Sequence, residues 1–319
     1  MSMRFGWCFI GTGNIAHKVF KDTPEMNVVS VFSRSLQKAQ AFASLTGAMT
    51  FESAEAAMTT PGVDAVYICT PHNTHTDYAQ LALRLGKPVL CEKPFALSTA
   101  EATPMVAAAR NSNVYLMEAM WTRFNPVSLK VQEWIDHGRI GTLHYAEIGF
   151  GIQPPYDPSN RFFNPELGGG SLLDLAVYPI TYAQMLFRSI PDRITSEVTF
   201  ADTGVDDKNV IILKYPGNRI ATLYSGLRFK SQQLAVIYGS SGWINVPVFW
   251  GARSANLYDS NGSLIETFTR TDPCIGWKYE IESFEKDVLE GKRESEIMPL
   301  QASLDVLAIM DTVHAQMAR

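Results

Sequence analysis

The chain has 319 residues, of which 46% are hydrophobic and 18% charged, with a net charge of −5; this is ordinary globular composition, at a length that fits about two domains. The mildly acidic balance and the lack of a basic stripe argue against nucleic acid or an anionic membrane as the main partner. No apolar run approaches the ~20 residues that a membrane-spanning helix needs.

Along the first third, short apolar runs alternate with stretches of helical period. The opening "MSMRFGWCFIGTG" has one Arg, a short apolar run and then glycines where a cleavage region would stand, so it reads as a first strand and not as a signal peptide. Strands are expected at Gly6–Ile10, Val28–Phe32, Ala48–Phe51, Ala65–Cys69, Pro88–Glu92 and Val114–Glu118. Helices are expected between them at Asn14–Lys21, Leu36–Leu45, Ala54–Met58, Thr74–Leu85 and Thr99–Arg110. "STAE" at 98–101 has the form of a capping box, and "THTD" at 74–77 repeats it with Asp. The runs are apolar on both sides, as in a parallel sheet covered on both faces, so the domain is a doubly wound α/β (Rossmann) fold with its ligand beyond the carboxyl ends of the strands. Cys8, Cys69 and Cys91 sit inside these runs and Cys274 stands alone. Without C-x-x-C or Cys/His ligand spacing, they predict neither zinc nor a disulfide framework, and they fit a reducing, cytoplasmic setting.

The first strand ends in "FIGTGNIA", in which Gly11, Gly13 and Ala16 match G-x-G-x-x-A between a strand and a helix. Gly11 permits the tight turn, Gly13 lets backbone approach a pyrophosphate at the helix N-terminus, and Thr12, Asn14 and Ile15 complete the loop. A dinucleotide cofactor is therefore expected. Where an NAD-specific fold usually places an acid, the second strand runs into "SRSLQK", with Ser33, Arg34 and Lys38. Hydroxyl and guanidinium suit a 2′-phosphate, which favours NADP over NAD. "CTPHNTH" ends the fourth strand and places Thr70, Pro71, His72, Asn73 and His75 over the cofactor crevice. The two histidines have no third ligand or carboxylate nearby, so no metal is expected. The fifth strand ends in "CEKP", where Glu92 and Lys93 put an acid and a base at a carboxyl end, as a hydride-transfer site requires.

"GTGNIA", "CTPHNTH" and "CEKP" together resemble the Gfo/Idh/MocA family of nicotinamide-dependent sugar and alcohol dehydrogenases. The resemblance implies Lys93 as the catalytic proton donor or acceptor, Glu92 as its positioning partner, and a lysine–proline bond that is often cis.

After the sixth strand, "MEAMWTRFNP" is aromatic and basic, and "VSLKVQEWIDHG" has helical period up to Gly138. Longer alternating segments follow at Leu143–Ile152, Ile194–Ala201, Asn209–Lys214, Arg219–Leu227, Leu234–Tyr238 and Leu264–Phe268. They predict a large, open, mostly antiparallel sheet in a second, α+β domain, with a division into residues 1–122 and 123–319. Leu227, Phe229, Val236, Trp243, Val248 and Trp250 make one sheet face apolar enough for a subunit interface, so a homodimer or higher homo-oligomer is expected. In "GGGSLLDLAVYPITYAQMLF", Asp174 is the one charge of an apolar helix. Tyr178 lies four residues on along the same face, and Pro179 should kink or end the helix there. A carboxylate so placed needs a partner, and Lys93 is the nominee. The family commonly has D-x-x-x-H here. Tyr178 in place of His, with "EAMWTRFNP", is similar to the branch of dihydrodiol and pentose dehydrogenases. That implies a polar group of Lys93, Asp174 and Tyr178, with Trp121, Arg123 and Phe124 near a sugar, polyol or diol, and either Lys93 or Tyr178 moving the proton. A non-catalytic NADPH-binding sensor on the same fold is the competing expectation.

Overall fold

The computed structural model of the chain describes residues 4–317. It comprises two compact units. One runs to Trp121 and includes Cys274–Leu304; the other is Thr122–Pro273 followed by the residues from Asp305 on.

The first unit is built on a six-stranded sheet in the order β3-β2-β1-β4-β5-β6. The strands are β1 (Gly6–Ile10), β2 (Asn27–Phe32), β3 (Met49–Phe51), β4 (Ala65–Ile68), β5 (Val89–Glu92) and β6 (Leu116–Ala119), all paired in parallel. Helices α1 (Asn14–Asp22), α2 (Leu36–Thr46), α3 (Ala54–Met58), α4 (His75–Arg84) and α5 (Thr99–Ser112) join them. Every residue of β1, β4, β5 and β6 is buried, which is why their sequences show no polar alternation. Strand order reverses between β1 and β4, and that switch point opens the ligand crevice of such sheets. The two capping expectations part here. Ser98 Oγ accepts the Glu101 N–H at 3.3 Å, whereas Thr74 caps nothing. Its hydroxyl donates to the Pro71 carbonyl at 2.8 Å inside a 3₁₀ turn, His72–Thr74.

The second unit is an eight-stranded sheet in the order β14-β13-β12-β11-β7-β10-β9-β8. Its strands are β7 (Leu143–Gly151), β8 (Arg193–Phe200), β9 (Asp206–Tyr215), β10 (Arg219–Gly226), β11 (Ala235–Gly239), β12 (Gly242–Val246), β13 (Ser254–Asp259) and β14 (Leu264–Thr269). Only the β7–β10 pairing is parallel. Helices α6 (Pro126–Asp136) and α7 (Val177–Phe187) pack against one face. On the other face Tyr145, Tyr238, Trp243 and Tyr258 stand in register on neighbouring strands and stack in a row, with centroids 5.9, 6.3 and 3.9 Å apart. Of the residues expected to make a face apolar, Val236 and Trp243 lie in register on this one. Leu227 is fully buried, and Val248 sits in a turn at φ +49°. Strands β12 and β13 are additions to the sequence reading. Each is short and buries only two side chains beyond glycine on its inward face, Ile244 and Val246 in β12 and Ala255 and Leu257 in β13, with Asn245, Ser254 and Asn256 at the outward positions.

Residues 274–304, placed by the sequence reading in the second domain, return to the first unit. Helix α8 (Trp277–Leu289) accounts for this. Phe284 packs on Trp7 of β1 (4.9 Å between centroids) and on Tyr115 (5.0 Å, edge to face). Trp7 Nε1 donates to Glu285 at 2.7 Å, and the Tyr115 hydroxyl donates to Asp287 at 2.8 Å. Asp22, at the end of α1, accepts the N–H groups of Ile275, Gly276 and Lys278 at 2.5, 3.0 and 3.4 Å, so a carboxylate remote in sequence caps α8.

Candidate active site

At the carboxyl end of β1, Gly11 adopts φ +107°, and a Cβ there would meet the Cys69 carbonyl oxygen at 2.6 Å. Only glycine lets the chain turn this closely against the end of β4. Gly13 is different: no atom lies within 4 Å of a Cβ placed on it, and it stands at the N-cap of α1 with no side-chain cap. Thr12 is buried, and its hydroxyl has no hydrogen-bond partner. Asn14 and Ile15 open the first turn. An uncapped helix start, an open glycine and an orphaned hydroxyl fit the diphosphate of a dinucleotide. Past β2, Ser33 is half-buried while Arg34 and Lys38 are exposed, with no acidic partner for either cation among the described residues. They can hold a phosphate on the cofactor's adenosine ribose.

Beyond β4, Thr70 and Pro71 lead into the turn that carries His72 and Asn73. His75 is fully buried, its Nδ1 2.9 Å from the Pro94 carbonyl and its Nε2 3.0 Å from that of Thr70. Burial pushes this imidazole below its usual pKa, against the two carbonyls, and the charge of Lys93 pushes the same way. The ring ties the end of β4 to the segment after β5. There the bond from half-buried Lys93 to Pro94 is cis. Behind it, the Tyr67 hydroxyl donates to Glu92, and the Phe95 N–H donates to Glu118 at 3.1 Å. Burial, and then the charge of Glu92, holds the Tyr67 phenol well above its ordinary pKa, so it is a donor only. Trp121, past β6, stacks on Trp277 of α8 at 4.8 Å.

In the second unit Phe124 is buried, and Arg123 is buried with its guanidinium 2.7 Å from Gln184 Oε1 of α7. Asp174 lies in a π-helical turn, Leu172–Ala176, that runs directly into α7. Asp206 pins the start of this turn, accepting the Leu172 N–H at 2.6 Å and the Asn209 amide at 2.7 Å. The proline expected to break the helix does not: Pro179 is the third residue of α7, which continues to Phe187. Its missing N–H falls in the first turn, where the wider π turn just before it has already interrupted the α ladder. Asp174 is 3% exposed, and Arg161 grips it through both oxygens at 2.9 and 3.2 Å. Arg161, a partner the sequence reading did not include, lies in an irregular loop with no periodicity to mark it. Tyr178 packs edge-on against Phe150 (5.4 Å), which stacks on Trp250 (5.2 Å, interplanar 6°). Phe150 was not singled out, because it reads as ordinary strand, and Trp250, expected on the apolar sheet face, stacks on it here. Among the described residues no group of three or more His, Cys, Asp or Glu is arranged for a metal ion.

Residues 5–120 match the family described as "Oxidoreductase family, NAD-binding Rossmann fold", and residues 128–245 match the GFO/IDH/MocA C-terminal domain. The chain is 32% identical to a trans-1,2-dihydrobenzene-1,2-diol dehydrogenase of Xenopus laevis, over 99% of this chain and 98% of that protein. It is 31% identical to a D-xylose 1-dehydrogenase (NADP(+)) of Hypocrea jecorina, over 96% and 90%. The fold superposes on an aldose-aldose oxidoreductase of Caulobacter crescentus with a TM-score of 0.88 at 21% identity, over 99% and 98% of the two chains.

Proposed function

Because the chain belongs to the Gfo/Idh/MocA oxidoreductase family, we propose that it is an NADP-dependent dehydrogenase acting on a hydroxyl carbon of a sugar, polyol or trans-dihydrodiol. The observation that carries this reading is Lys93. It follows the carboxyl end of β5, one strand beyond the switch point, and Glu92 before it is held by the Tyr67 hydroxyl. The nicotinamide, when bound, takes up or returns the hydride at its ring carbon C4. The protein's own part is the proton. Lys93 Nζ accepts it from the substrate hydroxyl as the C–H pair leaves, so the C–O bond becomes a carbonyl; Tyr178 Oη is the alternative acceptor. Gly11, Thr12, Gly13, Asn14 and Ile15 receive the diphosphate. Ser33, Arg34 and Lys38 select the 2′-phosphate, and Thr70, Pro71, Asn73 and His75 shape the nicotinamide end. Trp121, Arg123 and Phe124 are assigned to the substrate, with Asp174 holding the polar group in order. The similarity to a trans-dihydrodiol dehydrogenase and to an NADP(+)-dependent D-xylose 1-dehydrogenase supports the substrate class, and the latter supports the choice of NADP. The free cysteines fit a cytoplasmic protein. The stacked aromatic face of the second sheet fits a second copy of the chain.

The test is NADP⁺ reduction followed by absorbance, with D-xylose and a trans-dihydrodiol as substrates. Lys93→Met should bind NADPH as the native protein does and lose at least ~10²-fold in kcat. A variant that turns over at the native rate removes Lys93 from the chemistry.

A further inference from the structure

The first unit buries an acid that the proposed reaction leaves unused. Glu280, in the first turn of α8, is 0% exposed, and neither carboxyl oxygen has a hydrogen-bond partner. Its place is fixed from three sides. Asp22 caps the start of the helix, Trp277 stacks on Trp121 just past β6, and one turn further on Phe284 is wedged between Trp7 and Tyr115. Tyr67 of β4, Glu92 of β5 and Glu118 of β6 face it. The buried thiols of Cys69 and Cys91 feel the charge of Glu92, and Lys93 follows Glu92 in the chain. On its own helix, Lys278 is half-buried and pairs with the exposed Glu282, and Glu285 is bonded to Trp7.

Three carboxyls sharing a dry site cannot all ionise, because like charges there force at least one to keep its proton. The hydrogen-bond donors decide which one. Glu92 receives the Tyr67 O–H and Glu118 receives the Phe95 N–H, and both bonds stabilise a carboxylate. Glu280 receives nothing. Burial, reinforced by the charges of Glu92 and Glu118, raises its carboxyl well above the usual range.

We propose that Glu280 holds the proton of this buried acid cluster at neutral pH, and that through Glu92 it sets the pH range over which Lys93 accepts the substrate's proton. It is a positioning residue, not one that touches substrate, and this inference rests on the reading of Lys93 as proton acceptor. When Glu280 ionises at alkaline pH, it adds a negative charge beside Glu92. That charge holds the lysine in its cationic, non-accepting form to higher pH. A side chain that cannot ionise removes this brake.

Two measurements on the full-length protein test the proposal. Infrared difference spectra at neutral pH, native minus Glu280→Gln, should show the carbonyl stretch of a protonated carboxyl that the variant lacks. In the native protein itself, glutamate labelled with ¹³C at the side-chain carboxyl should move that band to lower frequency, so the result does not depend on the variant folding. No such band, labelled or unlabelled, overturns the assignment of the proton. The rising limb of kcat against pH for oxidation should shift down by about 1 unit in Glu280→Gln, with the substrate KM unchanged, a change that a purely structural role would not produce. Superimposable limbs overturn the link to Lys93. If Lys93→Met retains native turnover, the reading of Lys93 and this link fall together, while the infrared band still decides where the proton sits.

Discussion

Gly11 and Gly13 are the same residue type kept for different physical reasons, and substitutions should separate them. A methyl at Gly11 meets a carbonyl at 2.6 Å in a backbone conformation that side chains rarely adopt. Gly11→Ala should therefore lower stability by at least about 1–3 kcal/mol, read from urea unfolding. Gly13→Ala meets nothing within the chain, so it should unfold with the native midpoint yet bind NADPH more weakly by calorimetry. Equal losses of stability in the two variants would contradict this division. Arg34→Ala should raise KM for NADP far more than for NAD, whereas parallel changes would take Arg34 off the 2′-phosphate. Glu280 makes a prediction through proton linkage. Unfolded, its carboxyl ionises in the ordinary range; folded, burial and the charges of Glu92 and Glu118 raise it well above that range. The native state therefore binds more protons than the unfolded state above about pH 4.3, and the group's contribution to stability declines as pH rises. Glu280→Gln lacks that decline, so its stability relative to native should grow between about pH 5 and about pH 8. A pH-independent difference would place an ionised Glu280 in the native fold.

At the scale of elements, α8 and the π turn show how packing partners decide what local patterns leave open. Trp277, Ile281, Phe284 and Val288 recur at helical spacing. Nothing in that spacing says that the helix completes the first unit rather than the second. The decision comes from Asp22 and from the ring contacts of Phe284 with Trp7 and Tyr115. Phe284→Ala should cost about 3–5 kcal/mol, measured by urea unfolding of the full chain. A loss below about 1 kcal/mol would mean that the site collapses around the cavity, or that α8 contributes little to this core. Asp174 teaches the same lesson. Its need for a partner was legible from one charge in an apolar run, but Arg161 was not, because a loop arginine carries no periodic signal.

At the scale of the whole molecule, the second sheet has helices on one face and a ladder of Tyr145, Tyr238, Trp243 and Tyr258 on the other. If that ladder seats a second copy, the native protein should scatter light as a multiple of 35.4 kDa, and Tyr238→Lys with Trp243→Lys should scatter as the monomer. A native monomer ends that reading. The sequence alone determined the doubly wound first sheet almost strand by strand, because apolar runs, glycine turns and caps are local signals whose period survives any tertiary arrangement. It also pointed to the glycine loop and to the acid and base at the end of β5, because those positions follow from where a strand stops. Tertiary structure decided what has no period in one dimension: that 274–304 rejoins the first unit, that Arg161 grips Asp174, and that a third buried carboxyl lies near Glu92. Each of these joins residues far apart in the chain, and burial and pairing energies select them only once the backbone has brought them within a few ångströms.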